Sequence, residues 1–129
     1  MELKMSRDQF CEEIKSQFPE ISAKAEKEYL KFWGDVGSDF YSYTWFEALA
    51  RVINFQMNKG AQPEEFKLLF SCIGNRFLSG TEDVKKAIDV AFVENLFWNV
   101  SSEASELHWN HFPDVLKNLY LGFHSKKPF

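Results

Sequence analysis

TWFEALARVINFQMNKG, residues 44–60, decides the fold. Phe46, Leu49, Ala50, Ile53 and Met57 recur there at the spacing of one helix face. Trp45, Val52 and Phe55 widen that face so far that the helix must be central, buried on several sides. Thr44 and Glu47 have the spacing of a capping box, and Asn58, Lys59 and Gly60 supply a stop. A helix of this kind has to be surrounded by others, and the flanking sequence provides them in both directions.

Upstream, Ser6 and Gln9 form a second capping-box pattern, with Met5 and Phe10 at the positions of a hydrophobic staple. Phe10, Ile14 and Phe18 follow at one-turn spacing. Pro19 ends that helix and opens another as a first-turn residue. Ile21, Ala25, Tyr29, Phe32 and Trp33 share a face of the second helix, opposite Lys24, Glu28 and Lys31, and Gly34 stops it. Downstream, Pro63 opens a fourth helix with Glu64 and Glu65 in its first turn, where the helix dipole favours negative charge. Its buried stripe is Phe66, Leu69, Phe70, Ile73 and Phe77. Gly74 interrupts this helix, and a close helix crossing would explain it.

Thr81 caps a fifth helix with a core face of Val84, Ile88, Ala91, Phe92 and Leu96. Residues 88–93 are rich enough in Val and Phe to suggest a strand, but the cap and the length of the pattern favour helix. Residues 99–102 form a turn, residues 103–111 a short sixth helix, and residues 113–123 a last one with Leu116, Leu119, Tyr120 and Phe123 inward. The tail HSKKPF is expected to fray. The reading is all-α: a single domain over residues 1–129, built as a bundle of about six to seven helices, with no linker or repeat.

Totals narrow the function. A domain of 129 residues buries roughly two thirds of its unfolded surface and needs no metal or disulfide to fold. Nineteen acidic against fifteen basic residues, a net charge of −4, disfavour direct nucleic-acid binding and would steer the protein towards a basic partner. Cys11 and Cys72 sit in apolar helical patterns; one disulfide is conceivable, but two buried free thiols in a reducing cytosol is the reading favoured. The polar N-terminus does not look like a signal peptide, and no apolar run approaches the roughly 20 residues of a membrane span. The expectation is a cytoplasmic protein that does not engage membranes.

Catalytic machinery is missing from the pattern. His108 and His111, with Glu106 nearby, share a helical spacing but have no third and fourth ligand, so neither a metal nor another cofactor is expected. The two cysteines lie in apolar stripes that make a thiol inert, and Glu12-Glu13 and Glu64-Glu65 diverge around their helices. A binding protein, not an enzyme, is the expectation. Its first candidate contact site is DVGSDFYSY, residues 35–43, where Asp35 and Asp39 can meet Lys or Arg and Tyr41 and Tyr43 offer contact area. The alternative is a solvated connector with its tyrosines tucked onto the core. A second candidate combines Trp98 and Trp109 as exposed anchors with Glu103 and Glu106; tryptophans sealing the core are the other reading.

DVAFVENLFWN (residues 89–99) and HFPDVLKNLYLGFH (residues 111–124), with Phe18-Pro19-Glu20 and the segment Trp45 through Ala50, resemble a family of small helical bacterial proteins. Members of that family look like immunity proteins of polymorphic toxin systems, including contact-dependent growth inhibition. The resemblance implies a monomer that binds the toxic C-terminal domain of a large toxin one to one, the toxin being a basic nuclease. It assigns no contact residues. Glu94 and Asn95, in the best-matching motif, are read as structural hydrogen-bonders. The other reading is a regulatory or scaffold domain with a constitutive cytosolic partner.

Overall fold

A computed structural model describes residues 5–33 and 41–129. Helices α1 (Arg7–Gln17), α2 (Pro19–Trp33) and α3 (Ser42–Asn58) are followed by a 3-10 turn at Pro63–Glu65 and by α4 (Lys67–Ser79). Helix α5 (Glu82–Lys86) runs into a π-helical stretch, Ala87–Phe92, and a 3-10 turn, Val93–Asn95; α6 (Ser102–Trp109) and α7 (Asp114–His124) complete the chain. The fold is all-α, with no strand among the described residues.

Helix α3 is the axis. Trp45, Phe46, Leu49, Ile53 and Met57 are buried, with α2 packed along one side and the π-helical stretch along another. Phe55 and Phe123 depart from the expected core, at 62% and 56% exposure. Both leave more than half of their surface in water. Elsewhere the aromatic load is internal: Phe97 meets Phe112 at 5.5 Å and Tyr120 at 5.6 Å between ring centres, each edge to face.

The entry to α1 follows its sequence pattern. The Gln9 N–H donates to Ser6 Oγ at 3.1 Å, and the Ser6 N–H donates to Gln9 Oε1 at 2.8 Å. Such a cap contributes about 1 kcal/mol. Thr81 caps α5 and also donates its hydroxyl to the Met5 carbonyl at 2.8 Å, fastening the start of α1 to the start of α5. Arg76 on α4 grips the Glu13 carboxylate on α1 through two N–H donors. At Gly74 a Cβ would lie 3.2 Å from Val115 Cγ1 and 3.6 Å from Pro113 Cβ. The missing side chain is what lets the start of α7 approach α4.

Three local patterns resolve differently. Helix α3 starts at Ser42, ahead of the Thr44–Glu47 box, and no side chain caps it. The buried Ser42 hydroxyl donates to Asp8 Oδ1 on α1, so a tertiary bond sets the helix start. Pro63 opens a 3-10 turn with its own Gln62–Glu65 capping box, and α4 begins only at Lys67. The fifth helix does not stay α-helical. Ala87, Ile88, Ala91, Phe92 and Val93 are all buried, more of the circumference than a regular amphipathic stripe covers, and the helix widens through them.

Neither cysteine forms a disulfide. Cys11 is buried, which pushes its thiol up to about 12, and Cys72 is half-buried on α4. No helix among the described residues is long and apolar enough to cross a membrane.

Candidate functional site: the polar stripe of α3

Tyr43, Glu47, Asn54 and Asn58 stand on α3 at spacings of four, seven and four residues, which places all four on one face. This polar face is turned towards the chain between Asp89 and Ser101, and its two ends behave differently.

At the C-terminal end the two asparagines form a ladder. Asn54 Nδ2 donates to the Asn95 carbonyl at 2.8 Å, and Asn54 Oδ1 accepts from the Phe97 N–H at 2.8 Å. One helical turn on, Asn58 Nδ2 donates to the Asn99 carbonyl at 2.8 Å and Asn58 Oδ1 accepts from the Ser101 N–H at 2.9 Å. Each side-chain amide thus replaces the peptide unit that a partner strand would offer. The clamp holds an unusual backbone: Phe97 and Asn99 have φ of 67° and 56°, the left-handed region that side chains other than glycine seldom occupy. A bulky residue held there costs on the order of 1–3 kcal/mol. Phe97 turns its ring inward, where it is 5% exposed, while Trp98 between the two strained residues is 71% exposed. Packing would favour the reverse for so large an apolar ring.

At the N-terminal end, the carboxylates of Glu47, Asp89 and Glu94 surround Tyr43 closely enough to act on its phenol. Burial raises the Asp89 and Glu94 carboxyls above their ordinary values; Asp89 raises Glu94 further, and His124 opposes that rise. The Tyr43 phenol is also pushed up, first by burial and then by the negative charge of Glu94 and Glu47. The Arg7 guanidinium, 5.6 Å from the centre of the Tyr43 ring, works the other way. Among the described residues, the carboxylates of Glu47, Asp89 and Glu94 take part in no hydrogen bond or ion pair. Like charges stand together, partly withdrawn from water, with no ion pair among the described residues to neutralise them and only His124 acting against the charge of Glu94.

The residues expected from sequence are only partly gathered here. Asp35 and Asp39 lie outside the described residues. Tyr41 is half exposed, and its backbone N–H donates to the Tyr29 hydroxyl at 3.0 Å. Tyr43 belongs to the acidic cluster. Trp98, Glu103 and Glu106 are on the surface, but Trp109 is not the exposed anchor expected. It is 3% exposed, edge to face with Tyr120 at 5.5 Å, and Lys117 lies over its ring at 5.7 Å. Its position at the end of α6 directs it into the aromatic group that α7 closes.

Asn95 is a structural hydrogen-bonder, donating to the Ala91 carbonyl at 2.8 Å, but the Glu94 side chain is not. His108 is buried, with its ring 5.6 Å from that of Phe66 and Nε2 2.7 Å from the Ala61 carbonyl, which makes Nε2 the donor. His124 does not belong to a frayed tail. It ends α7, stacks on Tyr120 at 4.1 Å and reaches the Glu94 carbonyl at 3.2 Å. Sequence reading overlooked Glu47, Asn54, Asn58 and Asp89. The signal was present on α3: polar residues recurring on one helical face within an otherwise apolar helix.

Residues 11–126 match the family model of a domain of unknown function, DUF7674. The chain belongs to that family. The match runs from within α1 past the end of α7, so the polar stripe and the Trp98 segment lie inside the DUF7674 domain. No curated protein and no solved structure matches the chain.

Proposed function

We propose that this DUF7674 protein neutralises a basic protein by binding it, and that the partner is the toxic C-terminal domain of a polymorphic or contact-dependent growth inhibition toxin. It acts as an immunity protein in the cytoplasm, as a monomer and one to one. The observation that carries the reading is that one stripe of α3 leaves the carboxylates of Glu47, Asp89 and Glu94 without an ion pair among the described residues at one end and clamps the backbone of the exposed Trp98 at the other. Half-buried carboxylates without an ion-pair partner destabilise the unbound protein, and a Lys or Arg brought by a partner recovers that free energy. The backbone on either side of Trp98 is held by the asparagine ladder before the partner arrives, so less conformational freedom is lost on contact. Charge then accelerates the encounter, and the buried indole slows release. A basic nuclease toxin fits this surface, and inhibition by occlusion asks no chemical step of the chain.

The test is co-expression. The C-terminal domain encoded immediately upstream of this gene is produced with the wild-type chain or with a Glu47→Lys, Glu94→Lys variant. The expected result is killing by that domain alone, rescue by the wild type, and loss of rescue by a folded variant. Absence of a toxic neighbour, or rescue that survives both charge reversals, overturns the reading. A basic but harmless partner captured through the same residues would favour a regulatory or scaffold role.

A further inference from the structure

The opposite flank of α3 carries the opposite charge. Between α2 and α3 lies an open groove of about 800 Å³, lined by Lys24, Lys31, Arg51 and Lys59 against two carboxylates, Glu28 and Glu65. In a chain of net charge −4, four cations along one groove are a local reversal of sign. Phe55 lines the groove at 62% exposure, with the Lys59 ammonium 5.3 Å from its ring centre, and Val52 lies beside it. The groove continues past Lys24 and Gln56 into a second hollow of about 410 Å³ lined by Phe18 and Ile21, where Glu20 and Glu65 stand beside Lys24, so the cationic part of the path is the first groove. From Lys31 to Phe18 the path along α2 is about 20 Å, the span of roughly six extended residues.

We infer that this α2–α3 groove is a docking site for an extended acidic segment of a second protein, with an apolar side chain of that segment seated on Phe55 and Val52. Charge complementarity selects the sign, and the apolar strip selects a peptide over a bare anion. Glu28 stands within the groove, 3.5 Å from Arg51 and 3.8 Å from Lys31. A densely phosphorylated ligand would meet that carboxylate at close range, whereas a peptide with spaced carboxylates places its charges on the lysines and passes Glu28 with a neutral residue. The Lys24 and Lys59 side chains are exposed at the rim and form no ion pair among the described residues, so both can engage a partner without dismantling the fold. The inference stands apart from the acidic cluster, which attracts the opposite charge.

The experiment is fluorescence anisotropy with a labelled acidic peptide of alternating glutamate and serine around one central phenylalanine, titrated with the full chain. A matched peptide with serine in place of the phenylalanine and unlabelled inorganic polyphosphate serve as comparators. Saturable binding is expected, weakened about tenfold or more by Lys24→Glu with Lys59→Glu, and about tenfold by Phe55→Ser, each tenfold being about 1.4 kcal/mol. Circular dichroism of the variants should be unchanged, because all three side chains are exposed. No saturation with the wild type, or equal binding by the charge-reversed chain, overturns the inference. Equal binding of the phenylalanine-free peptide, or displacement by polyphosphate at equal charge, also overturns it by reducing the groove to a general anion patch.

Discussion

The two ends of one helix face treat polar groups in opposite ways. At Asn54 and Asn58 both amide atoms of each side chain have backbone partners between 2.8 and 2.9 Å. Seven residues before Asn54, Glu47 stands with Asp89 and Glu94 around Tyr43, and none of the three has an ion-pair partner among the described residues. The first arrangement lowers the free energy of the folded chain by itself. The second lowers it only when something cationic arrives. A satisfied network holds geometry, and an unsatisfied one next to it holds affinity in reserve. The segment carrying Trp98 draws on both, since the ladder fixes the backbone from which the ring projects.

The largest effect should come from breaking the satisfied end. Asn54→Leu leaves the Asn95 carbonyl and the Phe97 N–H without partners at a buried site, for an expected loss of about 3 kcal/mol in urea unfolding. Asn58→Leu at the exposed rung should cost about 1 kcal/mol or less, because water can take over its bonds. Equal losses at the two positions would mean that the rungs are not graded by burial, and the comparison would collapse.

Trp98→Ala sharpens the comparison from the other side. Partner affinity should fall roughly a hundredfold in a calorimetric titration, as for an anchor residue. Unfolding free energy should move by no more than about 0.5 kcal/mol, as for an exposed side chain. A large stability loss instead would return Trp98 to a structural role.

The smallest effect, and the one with the most informative sign, lies in the acidic cluster. Burial raises the folded-state pKa of Asp89 and Glu94 above the ordinary values of 3.8 and 4.5, so the folded chain keeps these protons to higher pH than the unfolded chain does. Their contribution is therefore fully present below the ordinary carboxylate range and is lost as pH rises through the raised values. Asp89→Asn with Glu94→Gln should flatten that decline and raise the midpoint of thermal unfolding slightly at neutral pH. A cationic partner reverses the sign: binding should release protons in the same window and weaken as the pH falls through it. A double variant less stable than wild type at neutral pH would show that the carboxylates have counter-charges after all.

Much of the scaffold is legible residue by residue because its signals are local. Ser6 and Gln9 are three apart and satisfy each other wherever the chain folds, and Thr81 caps whatever helix follows it. Gly74 was readable as a close crossing because little else justifies glycine inside a helix, although only packing names Val115 and Pro113 as what fills the space. The site was less legible. Tyr43 and Trp98 stand out as large, partly polar rings, but Trp109 looks the same in sequence and is buried. What separates them is the aromatic group formed by Phe97, Phe112 and Tyr120, drawn from three parts of the chain.

Sequence by itself therefore determined the helical class, the helix starts at Ser6, Pro19 and Thr81, much of the core, and the overall negative charge. Periodicity and capping act within one or two turns, and net charge is a simple count. Tertiary structure alone decided that α3 begins at Ser42, that residues 87–92 widen into a π-helix, and that Phe55 faces water. It also brought Asp89 and Glu94 to Tyr43, and it tied Asn95–Ser101 to two asparagines more than forty residues away. Each of these outcomes depends on which surface meets which. Burial of a side chain, desolvation of a carboxylate and satisfaction of a backbone amide are set by neighbours in space, and a helical pattern does not name them.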